Sequence, residues 1–161
     1  VIYFFRAYIN PENYFGVNVL REEMRMSVIA EIIRVEEDGG LSFGNYLAKE
    51  KCKISDFEVE GDLYNVKTHN QVTRLEKNNK LLFESVPGAA VHGFTVTKAA
   101  ARFSLEGYED TSVTIELLPD SEYKIIIDEM NVGNARSNLS GKINFSVDLR
   151  SGIQNVQIDK C

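Results

Sequence analysis

The segment "GKINFSVDL" (Gly141 to Leu149) alternates without a break. Ile143, Phe145, Val147 and Leu149 fall on one side; Lys142, Asn144, Ser146 and Asp148 fall on the other. Successive side chains of an extended strand point to opposite faces, so this run has one apolar face and one wet face. A helix, with its period of 3.6, cannot make that division. The pattern recurs. "TSVTIELL" sets Val113, Ile115 and Leu117 against Thr114 and Glu116, and "ARFSLEG" sets Phe103 and Leu105 against Arg102, Ser104 and Glu106. "FTVT" aligns Phe94 with Val96, "EYKIIIDE" aligns Tyr123, Ile125 and Ile127, and "NVQID" closes with Val156 and Ile158. Upstream, "LSFGNY", "KEKCKI", "GDLYNVKT", "QVTRLEK" and "LLFESV" also read as strands.

Turn residues punctuate these runs. "EEDGG" contains the Asp-Gly hairpin signal, "KNNK" reads as a second turn, and the proline of "PGA" ends the strand before it. "GYED", "LPDSE", "NVGNARSNLSG" and "RSGIQN" read as further turns. "DEMNVG" (Asp128 to Gly133) has hairpin-turn composition. "SVIAEIIRV" fits either a strand or a short helix with Ile29, Ile32 and Ile33 on one side. Short strands with one wet face predict an all-β, mainly antiparallel β-sandwich. Residues 91–161 hold about seven candidate strands, the count of an immunoglobulin-like module, and 26–90 hold about six, a second β subdomain. "ESVPGAAVHG" is the candidate boundary; one continuous domain over 26–161 is the alternative.

Residues 1–25 read differently. They lack the basic start and uninterrupted apolar core of a signal peptide, and no stretch reaches the roughly 18 apolar residues of a membrane span. "REEMRM" includes Arg-Glu-Glu, which AGG-GAG-GAA encodes, a purine-rich ribosome-binding sequence just ahead of Met26. Residues 1–25 are therefore expected to be a non-native upstream segment. A protein opening at Met26 would carry no export signal and is expected in the cytoplasm.

Composition excludes several functions. A net charge of −6 and a pI near 5.0 disfavour a nucleic-acid backbone binder or an anionic membrane surface, both of which need basic stripes. Cys52 and Cys161 read as two unrelated thiols, and with His69 and His92 they show no metal-ligand spacing. No cofactor or metal is expected. No Gly-x-Ser-x-Gly elbow, phosphate-binding loop or His-Glu-x-x-His motif occurs, and no enzyme activity is expected. The sequon Asn138-Leu139-Ser140 reads as a polar turn.

Two features stand out as candidate sites. "DFEVEGD" places Asp56, Glu58, Glu60 and Asp62 at alternate positions, backed by Phe57, Val59 and Leu63. On one strand face that row would suit calcium or paired-carboxylate chemistry, or be a solvated edge offset by Lys67, Arg74, Lys77 or Lys80; the solvated edge is the expectation. Tyr46, Tyr64 and Tyr108 lie near turns or strand ends and are the candidate ligand or partner surface, since tyrosine offers a flat amphipathic face.

"GDLY-VKT", "TRLEKN", "ESVPG" and the "N-SGK--FSV-L" ending resemble a group of small all-β proteins from anaerobic Firmicutes. The resemblance covers most of residues 26 to 160, and members typically begin near Met26. Many carry the genome label "endosialidase", which implies a carbohydrate-related or phage-tail-like adhesion context. No residue here matches the arginine cluster and tyrosine nucleophile of a sialidase. The expected function is a non-catalytic protein-interaction or accessory module; a carbohydrate-binding module and a sialidase-type glycoside hydrolase are the alternatives.

Overall fold

The structure is a computed structural model that describes residues 29–161. The expected upstream segment 1–25 lies outside the described residues. Among the described residues thirteen strands form in chain order: β1 Ile33–Val35, β2 Leu41–Phe43, β3 Cys52–Val59, β4 Asp62–His69, β5 Val72–Lys77, β6 Lys80–Val86 and β7 Ala90–Val96. Then follow β8 Ala100–Glu106, β9 Thr111–Glu116, β10 Glu122–Ile127, β11 Met130–Arg136, β12 Lys142–Val147 and β13 Gln154–Lys160. All pairings are antiparallel. A seven-stranded sheet has the order β1-β2-β7-β8-β13-β10-β11, and a six-stranded sheet the order β12-β9-β6-β5-β4-β3.

The inward positions of the period-two runs bring the sheets together. Phe83 of β6 is fully buried in the six-stranded sheet. It meets Phe43, Phe94 and Phe103 of the other sheet edge-on, at ring-centroid separations of 5.4, 5.7 and 5.7 Å. Such T-shaped pairs add attraction between ring edge and ring face to the burial of apolar area. Leu75, Val113, Ile115 and Ile143 from the six-stranded sheet and Val91, Leu105, Tyr123 and Ile158 from the seven-stranded one extend the same core. Two strand contacts join the two halves of the chain: β2 pairs with β7, and β6 pairs with β9.

The structure decides one reading that the sequence left open and corrects two others. "SVIAEIIRV" makes no helix where it is described; its end forms β1, which "EEDGG" turns into β2 through Glu36 N–H to Gly40 C=O and Gly39 N–H to Glu36 C=O. "NVGNARSNLSG" is not all turn, because Met130–Arg136 forms β11. β11 is an edge strand with every residue exposed except half-buried Ala135, so no apolar alternation marked it. The turn lies just before it, at Asp128 and Glu129, both with positive φ.

The second correction concerns the acidic row. The run is not one strand: Glu60 and Gly61, both at positive φ, close a two-residue hairpin between β3 and β4. Glu58 then faces Leu63 across the ladder, and cross-strand partners share a face, so Leu63 is exposed beside Glu58 instead of backing it. A bulge between Ile54 and Phe57 shifts Asp56 out of step as well, and the Asn65 side chain accepts the Asp56 N–H at 2.9 Å. Asp56, Glu58 and Glu60 are exposed, and β3 is an outer strand of its sheet, where charge discourages pairing with other chains.

Candidate functional site

The site is assembled at the end of the sheets where four connections meet. They are the segment after β2, the β4–β5 turn, the β6–β7 link and the β8–β9 link. Asn45 begins the first. Its side-chain oxygen accepts the Leu47 N–H at 3.0 Å, an Asx-type turn that reverses the chain. The second docks on the first, with Asn70 N–H donating to Ala48 C=O at 2.8 Å. The third docks on the second, with Gly88 N–H donating to Asn70 C=O at 3.1 Å. Thr111, where the fourth link enters β9, donates its hydroxyl to Pro87 C=O at 2.7 Å.

Glycine is required where these backbones touch. A Cβ on Gly88 would collide with the His69 carbonyl oxygen. A Cβ on Gly44 would collide with the Ala89 carbonyl oxygen, and Gly44 sits at φ +102°, a conformation that L side chains avoid.

A buried pair of threonines fixes the assembly from beneath. The Thr73 hydroxyl donates to Ala89 C=O at 2.8 Å and accepts Ala89 N–H at 3.2 Å. A hydroxyl has one proton, so in the 2.8 Å contact between Thr68 and Thr73 the proton belongs to Thr68. Thr68 Oγ1 in turn accepts Asn45 N–H at 2.9 Å. This chain of bonds ties β4 and β5 of one sheet to the segments flanking β2 and β7 of the other.

On this base lie Tyr46 and Tyr108. Tyr46 is buried at 6% exposure; Tyr108, at 69%, stands in solvent with its ring edge-on to Tyr46, centroids 5.0 Å apart. Tyr108 borders an open depression of about 850 Å³, with Val86, Pro87, His69, Lys67 and Glu109 also in its wall. Val86 is half exposed, and Leu47, next to Tyr46, is exposed at 45%. His69 is largely buried, and its Nδ1 lies 3.3 Å from Asn70 Oδ1.

Tyr46 and Tyr108 therefore come together, and Tyr64 does not join them. Tyr64 sits near the start of β4, half-buried against the core, about 13 Å along the strand from Thr68 at roughly 3.3 Å per residue. Burial pushes the Tyr64 phenol up, while the nearby Lys77 ammonium pulls it down.

The acidic residues do not converge. Asp62 accepts a hydrogen bond from Asn78 Nδ2 at 3.0 Å and lies 3.6 Å from Lys77 Nζ; the bond from Asn78 is the main reason its carboxyl is held below the usual range. Arg74 turns instead to Glu84 at 3.0 Å. Beside the candidate site, Arg150 bridges Asp148 at 2.9 Å and Asp110 at 3.4 Å. Hydrogen bonds from Arg150 lower the Asp148 carboxyl, and a hydrogen bond to Asp148 raises that of Asp110. Among the described residues no group of three or more His, Cys, Asp or Glu is placed to hold a metal ion, and both cysteines are free thiols. Among the described residues no helix is long and apolar enough to cross a membrane.

Sequence reasoning missed Val86, Pro87 and His69. "ESVPGAAVHG" entered only as a candidate domain boundary, with one continuous domain as the alternative, and its Val86 and Pro87 form one wall of the depression. Thr68 carried a usable signal: it shares the inward parity of Val66, and a hydroxyl on an apolar face implies a polar partner inside.

Comparison with family models, with curated proteins and with solved structures finds no match to this chain.

Proposed function

We propose that the protein is a non-catalytic binding module that takes a protein partner on the Tyr108 end of its sheets. The observation that carries this reading is Tyr108 itself, a large aromatic exposed at 69% yet held against a buried ring. An exposed side chain ordered in advance loses little conformational entropy on binding, and tyrosine is enriched among residues that dominate interfaces. Half-exposed Val86 and Pro87 supply apolar area beside it, and Lys67 and Glu109 a polar surround.

We read residues 26–161 as one continuous unit. The β2–β7 and β6–β9 pairings across the expected boundary support this. The seven strands from β7 to β13 agree in number with an immunoglobulin-like module, although they divide five and two between the sheets. The two sheets' shared aromatic core supports a closed sandwich.

A sugar-binding role is the second reading, favoured by the exposed Tyr108 ring and by the carbohydrate context that the Firmicutes resemblance implies. One experiment separates the two. A photo-reactive phenylalanine replaces Tyr108 in one variant and Leu139, exposed at the other end of β9, in a second. The protein-partner reading expects a discrete cross-linked protein from position 108 that is absent from position 139 and competed away by unmodified protein. Identical patterns from the two positions would overturn it. Binding on a glycan array that Tyr108→Ala abolishes would transfer the site to the sugar reading.

A further inference from the structure

The opposite end of the sheets carries a second recess with different chemistry. It opens between the tip of the β5–β6 hairpin and the tip of the β7–β8 hairpin, beside the end of β9, and encloses about 510 Å³. Small-ligand sites run from roughly 300 to 1,000 Å³. Leu82, Val96 and Leu117 lie in its wall, each half-buried against the main core. Leu82 is there because of a bulge: Leu75 pairs with Phe83 and Glu76 with Leu81, which leaves Leu82 as an extra residue.

The rim is basic in an acidic protein. Lys77, Lys80 and Lys98 all border the recess. Lys77 is paired with Asp62 at 3.6 Å, and Glu116, the carboxylate in the wall, is 3.8 Å from Lys142. Among the described residues Lys80 and Lys98 form no ion pair. Moreover, Lys77 and Lys80 face each other directly across the Asn78–Asn79 turn. Like charges in that position repel, and among the described residues no carboxylate pairs with Lys80 in compensation. An anion bound at the Lys80 ammonium would offset that repulsion.

We propose that this recess binds a small amphipathic carboxylate of the medium-chain fatty-acid type. The head group sits between Lys80 and Lys98, and the hydrocarbon lies on Leu82, Val96 and Leu117. Lysines give point charges without the planar fork that arginine offers phosphates, and among the described residues no helix N-terminus is near to supply backbone donors. The apolar wall selects for a tail, because a head group alone would leave it wet.

The test follows ¹⁵N amide signals as decanoate is added below its micelle concentration. Decanol supplies the tail without the charge, and acetate the charge without the tail. Saturable shifts at residues 80–82, 96–98 and 116–118 are expected with decanoate. Decanol is expected to bind about tenfold more weakly, and Lys80→Gln with Lys98→Gln to weaken decanoate by about the same factor, as two exposed ion pairs would. Added salt should weaken decanoate and leave decanol unchanged. Both lysines are exposed, so the amide spectrum of the double variant verifies its fold. Equal affinity for decanol and decanoate, undiminished binding by the double variant, acetate binding as tightly as decanoate, or no saturable shift at these residues would each overturn the proposal.

Discussion

Thr73→Val tests the claim that a single hydroxyl links the two sheets under the candidate site. Valine keeps the shape and the strand preference of threonine, so packing and backbone change little. What disappears is one oxygen that serves three groups: Ala89 C=O at 2.8 Å, Ala89 N–H at 3.2 Å and the Thr68 hydroxyl at 2.8 Å. Thr68 and Thr73 are fully buried and Ala89 is too, so water cannot replace the lost partner without opening the structure. A buried polar group left unpaired costs about 1–3 kcal/mol. The Thr68 hydroxyl can rotate toward another acceptor, whereas the two Ala89 backbone groups cannot. The expected loss is therefore roughly 2–5 kcal/mol, a large part of the ~5–15 kcal/mol that holds a domain together. In urea, with a slope of about 2 kcal/mol/M, the midpoint should fall by about 1–2.5 M at unchanged slope. Thr114→Val is the matched control. Thr114 lies on the outer face of β9, accepts only from Asn144 Nδ2 at 2.8 Å and should lose under about 0.5 kcal/mol. A Thr73→Val loss below about 1 kcal/mol, with the slope unchanged, would show that the threonine link is not desolvated and that the connections are held some other way.

Three further predictions follow from the same physics. Phe83→Leu keeps most of the buried volume but removes three edge-on ring contacts at about 0.5–1.5 kcal/mol each, so chemical denaturation should show a loss of roughly 1.5–4.5 kcal/mol, well above that of Phe145→Leu, half-buried on β12. Glu106 Oε1 is buried without a hydrogen-bond partner, and burial raises its carboxyl above the ordinary 4.5. The folded chain thus keeps this proton to higher pH than the unfolded chain, so stability falls as pH rises through 4.5 toward the raised value; Glu106→Gln should gain stability near pH 7 and none near pH 3.5, in denaturation at both. Amide hydrogen exchange should be fastest along β11 and slowest along β8 and β13, because β11 is an outer strand with every residue but Ala135 exposed and the other two are central.

The strands were legible wherever one face is buried. β8, β9 and β12 follow the inward and outward assignments of Phe103, Val113 and Ile143 with their neighbours, because burial of one face imposes period two. β11 was illegible for the converse reason: an outer strand exposed on both sides has no apolar face to write into its sequence. The acidic row misled because a two-residue turn and a bulge change the phase of alternation without changing composition. Of the three candidate tyrosines, Tyr46 and Tyr108 meet, and Tyr64 lies toward the other end of β4; proximity to turns says nothing about which turns share an end.

The residue order alone determined that this chain is built of short antiparallel strands, that Asp56, Glu58 and Glu60 stay wet, and that no basic stripe would suit a nucleic acid. Those properties are local: each follows from neighbours one or two positions apart. Tertiary structure alone decided which strands share a sheet, that Val86 and Pro87 line the depression, and that Asn45, Asn70, Gly88 and Thr111 converge beneath Tyr108. Those contacts join segments far apart along the chain, and their partners are chosen by closing two apolar faces over a common core, which no local window of sequence encodes.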